Sequence, residues 1–132
     1  MWKRWGVVAV LGMACADSSL SAPDLGPARV VIESAAAVRS DVDEVRVSVG
    51  IRNAGGAGAF YLEFASPSSV PNQPGPITRS ETVEVLAAYR ETVIYTVSGT
   101  TSVYSVRAYS RPANSASYTR SDCYVIQTSA HC

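Results

Sequence analysis

The stretch "VRVSVGIR" puts Val45, Val47, Val49 and Ile51 at every second position, with Arg46, Ser48, Gly50 and Arg52 between them. A period of two sends alternate side chains to opposite faces of an extended chain, so the segment reads as a half-buried strand. A helix would scatter the same four apolar residues around its circumference. "AFYLEFA" repeats the pattern, with Phe60, Leu62 and Phe64 opposite Tyr61 and Glu63. "ARVVIES", "ETVEVLA", "ETVIYTVSG", "TSVYSVRAYS" and "SYTRSDCYVIQT" supply further strand candidates. "ESAAAVRSDVDEV" holds good helix formers, but β-branched residues flank it, and strand followed by turn is the expectation. Together these segments predict an all-β chain, an antiparallel immunoglobulin-like β-sandwich of about seven strands.

The alternation also names a core. Val47, Val49, Phe60, Leu62, Phe64, Val85, Val93, Tyr95, Tyr104 and Val106 are expected inside, and Arg46, Arg52, Glu63 and Arg107 outside. "NAGGAG", residues 53–58, reads as a mobile hairpin-like tip whose glycines supply positive φ. Residues 66–80, "SPSSVPNQPGPITRS", hold four prolines and cannot enter a central strand. Long irregular loops carry binding more often than scaffolding, which makes Asn72 and Gln73 candidate contact residues.

The first residues set the address. Lys3 and Arg4 precede a short apolar run, Val7 to Ala14, in the layout of a secretory signal peptide. The segment resembles a bacterial lipoprotein signal, which implies an acylated Cys15 at the new N-terminus and a membrane-anchored protein of the cell envelope. The competing reading takes "ACA" as an ordinary cleavage site and discards Cys15, leaving a secreted or periplasmic soluble protein. The expected organisation is a signal peptide over residues 1–14, a flexible spacer over 15–27 and one sandwich domain over 28–132. Cys123 and Cys132 remain as a pair, and an oxidising compartment favours a disulfide between them over two free thiols. An extended tail would hold them apart, so the chain must reverse after Thr128.

Charge and chemistry exclude more than they assign. With Lys3 and Arg4 in the leader, nine arginines face eleven acidic residues. No basic excess remains to neutralise phosphates, which argues against nucleic-acid binding. His131 is the only histidine, and it sits beside the C-terminus, where no rigid shell would hold a catalytic base. No nucleophile, base and orienter can be named, so the chain is not expected to be an enzyme. Cys123, His131 and Cys132 lack a fourth metal ligand, and Asp41, Asp43 and Glu44 lack the rest of a Ca²⁺ loop. Neither a metal nor a cofactor is expected. Tyr61 and Tyr109 fall on faces alternate to the apolar ones and form a candidate surface for a protein or glycan at the cell envelope. Cross-strand packing is the competing use of those rings.

At "VRVSVGIRNAG", "AFYLEF" and "VEVLAAYRETVIYTV" the chain resembles bacterial immunoglobulin-like domains of the CARDB type. In that family a V-x-V-x-V strand ends in an Asn-x-Gly turn, matched by Val45 to Gly55, and a later L-x-x-x-x-[ES]-T corner is matched by Leu86 to Thr92. Tyr89 and Arg90 stand where the family commonly has Pro or Gly. The resemblance implies the sandwich fold and leaves function to the surface residues. A non-catalytic envelope binding or adhesion module is the expected function, with a structural accessory subunit docked to a larger complex as the alternative.

Overall fold

A computed structural model describes residues 25–132, and every described element is a strand. The strands are β1 (Val30–Asp41), β2 (Glu44–Asn53), β3 (Gly58–Ala65), β4 (Ile77–Arg79), β5 (Val83–Val85), β6 (Arg90–Ser98), β7 (Ser105–Pro112), β8 (Thr119–Val125) and β9 (Ala130–His131). All pairings are antiparallel. One sheet runs β1-β2-β6, and the other runs β4-β3-β7-β8-β9, with β5 also on β3. The signal peptide, Cys15 and most of the spacer lie outside the described residues.

This is the immunoglobulin-like arrangement, β1, β2 and β6 against β3, β7 and β8, with the short strands β4 and β5 at one edge of the second sheet and β9 at the other. The helix formers of residues 33–45 stayed extended because β1 pairs with β2 through Ala35, Ala36 and Ala37. Tertiary pairing overrides a weak local propensity there.

Val45, Val47, Val49 and Ile51 meet Phe60, Leu62, Phe64, Val106 and Ala108 between the two sheets, all buried. Phe64 tilts against Tyr95 with ring centroids 5.2 Å apart, and Phe60 against Tyr89 at 6.2 Å, so aromatic contacts span the layers. Val93 and Tyr95 sit on the core face but are only partly covered, because β6 closes its sheet on one side. Tyr104 departs from the expected core and is 40% exposed. The alternation breaks before β7: Val103 takes the buried place, while Tyr104 keeps its backbone bonds to Ala65 and Ile126. Arg46 and Arg52 are exposed as expected, whereas Glu63 and Arg107 are half-buried on the outer face.

The glycine stretch is not a mobile tip. Gly55 and Gly58 are buried, and neither takes positive φ, which falls instead on Gly26 and Gly99. A Cβ at Gly55 would overlap the Pro27 carbonyl, and one at Gly58 the Arg111 carbonyl. These positions need glycine for close backbone approach. Asn53 organises the same corner. Its side-chain oxygen accepts from Arg29 N–H at 3.0 Å and Gly55 N–H at 3.1 Å, and its amide donates to the Gly56 and Leu86 carbonyls, both at 2.9 Å. One buried amide thus ties three chain segments together with its polar groups satisfied.

Residues 66–80 do leave the core, but Ile77–Arg79 form the edge strand β4 on β3. Proline is tolerated around such a strand because only one side must donate to a ladder.

The first stretch of β1 is fastened to the opposite sheet by side chains. Ser110 Oγ accepts from Val30 N–H at 3.0 Å, and Ser121 Oγ donates to the Val30 carbonyl at 2.7 Å. Asp122 accepts from Ile32 N–H at 2.7 Å. Across the three-stranded sheet, Glu33 pairs with Arg52 at 3.1 Å and Arg90 at 2.9 Å. The hydrogen bond from Arg90, reinforced by Arg52, holds the Glu33 carboxyl below the usual carboxylate range.

Candidate functional site

The outer face of the β4-β3-β7-β8 sheet carries a tyrosine–arginine assembly. Strand pairing sets Tyr61 of β3 directly opposite Tyr109 of β7, and Glu63 opposite both Arg79 of β4 and Arg107 of β7. The two tyrosine rings stack at 5.0 Å with an interplanar angle of 11°. Tyr118, which leads into β8, meets Tyr61 edge-on at 4.8 Å. Arg79 lies over the free face of this group, its guanidinium carbon 4.4 Å from the Tyr61 ring centre. Arg111 approaches Tyr118 at 5.6 Å, and its Nε donates to the Tyr118 hydroxyl at 3.2 Å. Stacked, edge-on and cation–π contacts reinforce one another in such a cluster.

This geometry corrects one expectation. Tyr61 is only 8% exposed, because Tyr109, Tyr118 and Arg79 cover it, while Tyr109 is half-buried. Packing therefore uses the inner ring, and the rim of the assembly meets solvent. Arg79 pairs with Glu63 at 3.4 Å. Arg107 Nε is buried and has no hydrogen-bond partner among the described residues. Asn72 and Gln73 are exposed in the loop between β3 and β4, beyond the Ala65 end of β3, with Asn72 at a φ of 62°. They stand apart from Tyr61, which lies in the middle of the strand. The sequence reading missed Arg79, Arg111 and Tyr118. Part of the signal was present: Arg107, Tyr109 and Arg111 recur at every second position and so share a face.

Burial and then the neighbouring Glu63 carboxylate push the Tyr109 phenol up, and burial does the same to Tyr95. Tyr89, half-buried and donating to Glu91 at 3.0 Å, is pushed up to about 12, first by that burial and then by the carboxylate. A phenol whose pKa is higher in the folded chain stabilises the fold fully below the ordinary value of 10, and that stability is lost as pH rises through about 12. A phenolate absorbance titration is expected to show Tyr89, Tyr95 and Tyr109 ionising above the ordinary phenol value, with unfolding at the alkaline end. Ionisation of these three phenols at the ordinary value would contradict this geometry.

At the far edge of the same sheet, Cys123 and Cys132 bring their sulfurs to bonding distance, with Cα atoms 5.2 Å apart. The tail reverses at residues 126–129, with Ser129 at a φ of 52°, and β9 returns along β8. His131 is held in place: its Nδ1 lies 2.8 Å from Asp122, and its ring stands edge-on to Tyr124 at 5.4 Å. Asp122 also receives Ile32 N–H, so the C-terminal hairpin joins the seam between the sheets.

Among the described residues, no group of three His, Cys, Asp or Glu side chains could hold a metal ion, and no helix is long and apolar enough to cross a membrane. Asp41 instead accepts from Val42 N–H at 2.7 Å in its own turn.

No family model matches the chain, and neither does any curated protein. Among solved structures, a β-glucosidase from Erythrobacter marinus aligns with a TM-score of 0.39 and 18% identity, over 70% of this chain and 15% of that one. A likeness this slight carries nothing about activity.

Proposed function

We propose that the protein is a non-catalytic binding or adhesion module of a cell envelope, exported behind its signal peptide and tethered through Cys15. Its contact surface is the tyrosine–arginine face of the β4-β3-β7-β8 sheet, and its partner is a protein or glycan of the envelope. The observation that carries the reading is the preorganised platform of Tyr61, Tyr109 and Tyr118 held by Arg79 and Arg111 on the outside of a sheet whose other face forms the core. Tyrosine and arginine are enriched in binding hot spots, tyrosine because it offers a large contact area with only two torsions to freeze and arginine because its planar fork gives several hydrogen bonds at once. Rings already locked against one another have still less freedom to lose.

Binding of the purified protein to envelope fractions tests this. Tyr118→Ala and Arg107→Ala are each expected to weaken binding about thirtyfold, the effect of losing one hot-spot residue. Thr92→Ala, on the other sheet, should leave it unchanged. Equal binding by all three variants would remove this face from consideration.

The tether has its own test. Cys15→Ser is expected to shift the protein from the membrane to the soluble exported fraction, or to leave its leader uncleaved. A variant processed and fractionated like the wild type would rule out acylation at Cys15.

The second reading, a structural accessory subunit docked to a larger complex, is favoured by the edge of β6 that no described strand pairs.

A further inference from the structure

A sheet edge exposes unpaired backbone donors and acceptors, and folded proteins blunt such edges with bulges, proline, short strands, charge or covering segments. Three edges here are blunted. β1 has register shifts between Ile32 and Ser34 and between Arg39 and Asp41, and its first stretch is bonded to Ser110, Ser121 and Asp122. The β3 edge carries only the three-residue strands β4 and β5, with Pro74 and Pro76 just ahead of the first. The β8 edge is closed by the two-residue β9 and the adjoining cysteine pair.

Among the described residues β6 has no bulge, proline or covering strand, and its charges are confined to its first two positions, Arg90 and Glu91. It runs nine residues in unbroken register with β2, without proline or lysine, and no described residue pairs with its other side. Apolar side chains are left open on both faces: Ile94 is 63% exposed on the outer face, and Val93 and Tyr95 are partly covered on the core face.

We propose that β6 pairs antiparallel with β6 of a second copy of this chain, across a two-fold axis at Ile94. The strand is self-complementary in that register. Ile94 meets Ile94 of the second copy, Val93 meets its Tyr95, and Thr92 meets its Thr96. Aromatic with β-branched and threonine with threonine are favourable cross-strand pairs. Paired residues share a face, so the half-covered Val93 and Tyr95 complete one another's burial while the outer residues remain outside. The strand's charges, Arg90 and Glu91, lie at one end. The axis therefore puts like charges at opposite ends of the pairing, roughly 27 Å apart for Arg90 at strand spacing. The contact is isologous and closes, joining two three-stranded sheets into one of six. It uses the sheet opposite the tyrosine–arginine face and does not depend on that face's role.

Sedimentation of the full chain carrying Cys15→Ser, so that no acyl group drives association, tests the proposal between about 1 µM and about 100 µM. A dimer is expected. Ile94→Lys and Ile94→Glu each set like charges directly opposite and should weaken association about tenfold or more. Mixing the two variants should restore the dimer, while Val38→Lys, on the far edge strand, should leave it intact. A monomer throughout that range, a dimer indifferent to Ile94→Lys, or a mixture that stays monomeric would each overturn the proposal. Pairing of β6 with the chain's own first residues or with another protein falls under the first of these outcomes.

Discussion

Replacing Leu62 by alanine is expected to lower the unfolding free energy by about 2–5 kcal/mol, the range for emptying a fully buried leucine site. Leu62 has no exposure and sits in β3, which is flanked by β7 on one side and by β4 and β5 on the other. Its backbone N–H is held by Ser80 Oγ at 2.8 Å, and its carbonyl accepts from Ser80 N–H at 2.8 Å. A strand fixed on both sides cannot move inward to refill the cavity, so the loss should fall within that range and not below it. Urea denaturation of the two proteins measures the difference. A change below about 0.5 kcal/mol, typical of exposed sites, would mean that the β3 register is wrong.

Opening the Cys123–Cys132 link is expected to cost about 2–3 kcal/mol, from the entropy of a closed loop of about ten residues in the unfolded chain. The same change should release β9, and with it the contacts of His131 to Asp122 and Tyr124. A Cys123→Ser/Cys132→Ser double variant measured against wild type gives the figure. Thiol labelling of the unfolded, unreduced protein gives an independent check, since two reactive thiols in this segment would exclude the bond.

How far the fold was legible differs from one element to the next. The alternation in β2 and β3 determined which residues face the core, because a period of two admits one assignment of faces once one face is buried. Cys123 and Cys132 required the tail to reverse, since an extended chain cannot bring them within bonding reach. Tyr104 was misplaced because alternation says nothing about where a strand begins. Glycine runs are equally ambiguous: positive φ and close backbone approach both call for a missing Cβ, and only the position of Pro27 and Arg111 distinguishes them here.

The candidate face was half legible for the same reason. Tyr61, Tyr109, Arg107 and Arg111 could be placed on the outside of their strands by counting. That β3 and β7 are neighbours in register, that Arg79 arrives on a three-residue edge strand, and that Tyr118 folds over Tyr61 are long-range facts without a local signal. Local pattern determined the strands, their buried faces and the all-β class of this protein, because side-chain direction follows the chain's own geometry. Tertiary structure decided which strands are neighbours, which tyrosine is covered and which edge no described strand pairs, because those depend on contacts between residues far apart in the chain. β4 and β5 both went to β3, and no described strand pairs with the other side of β6.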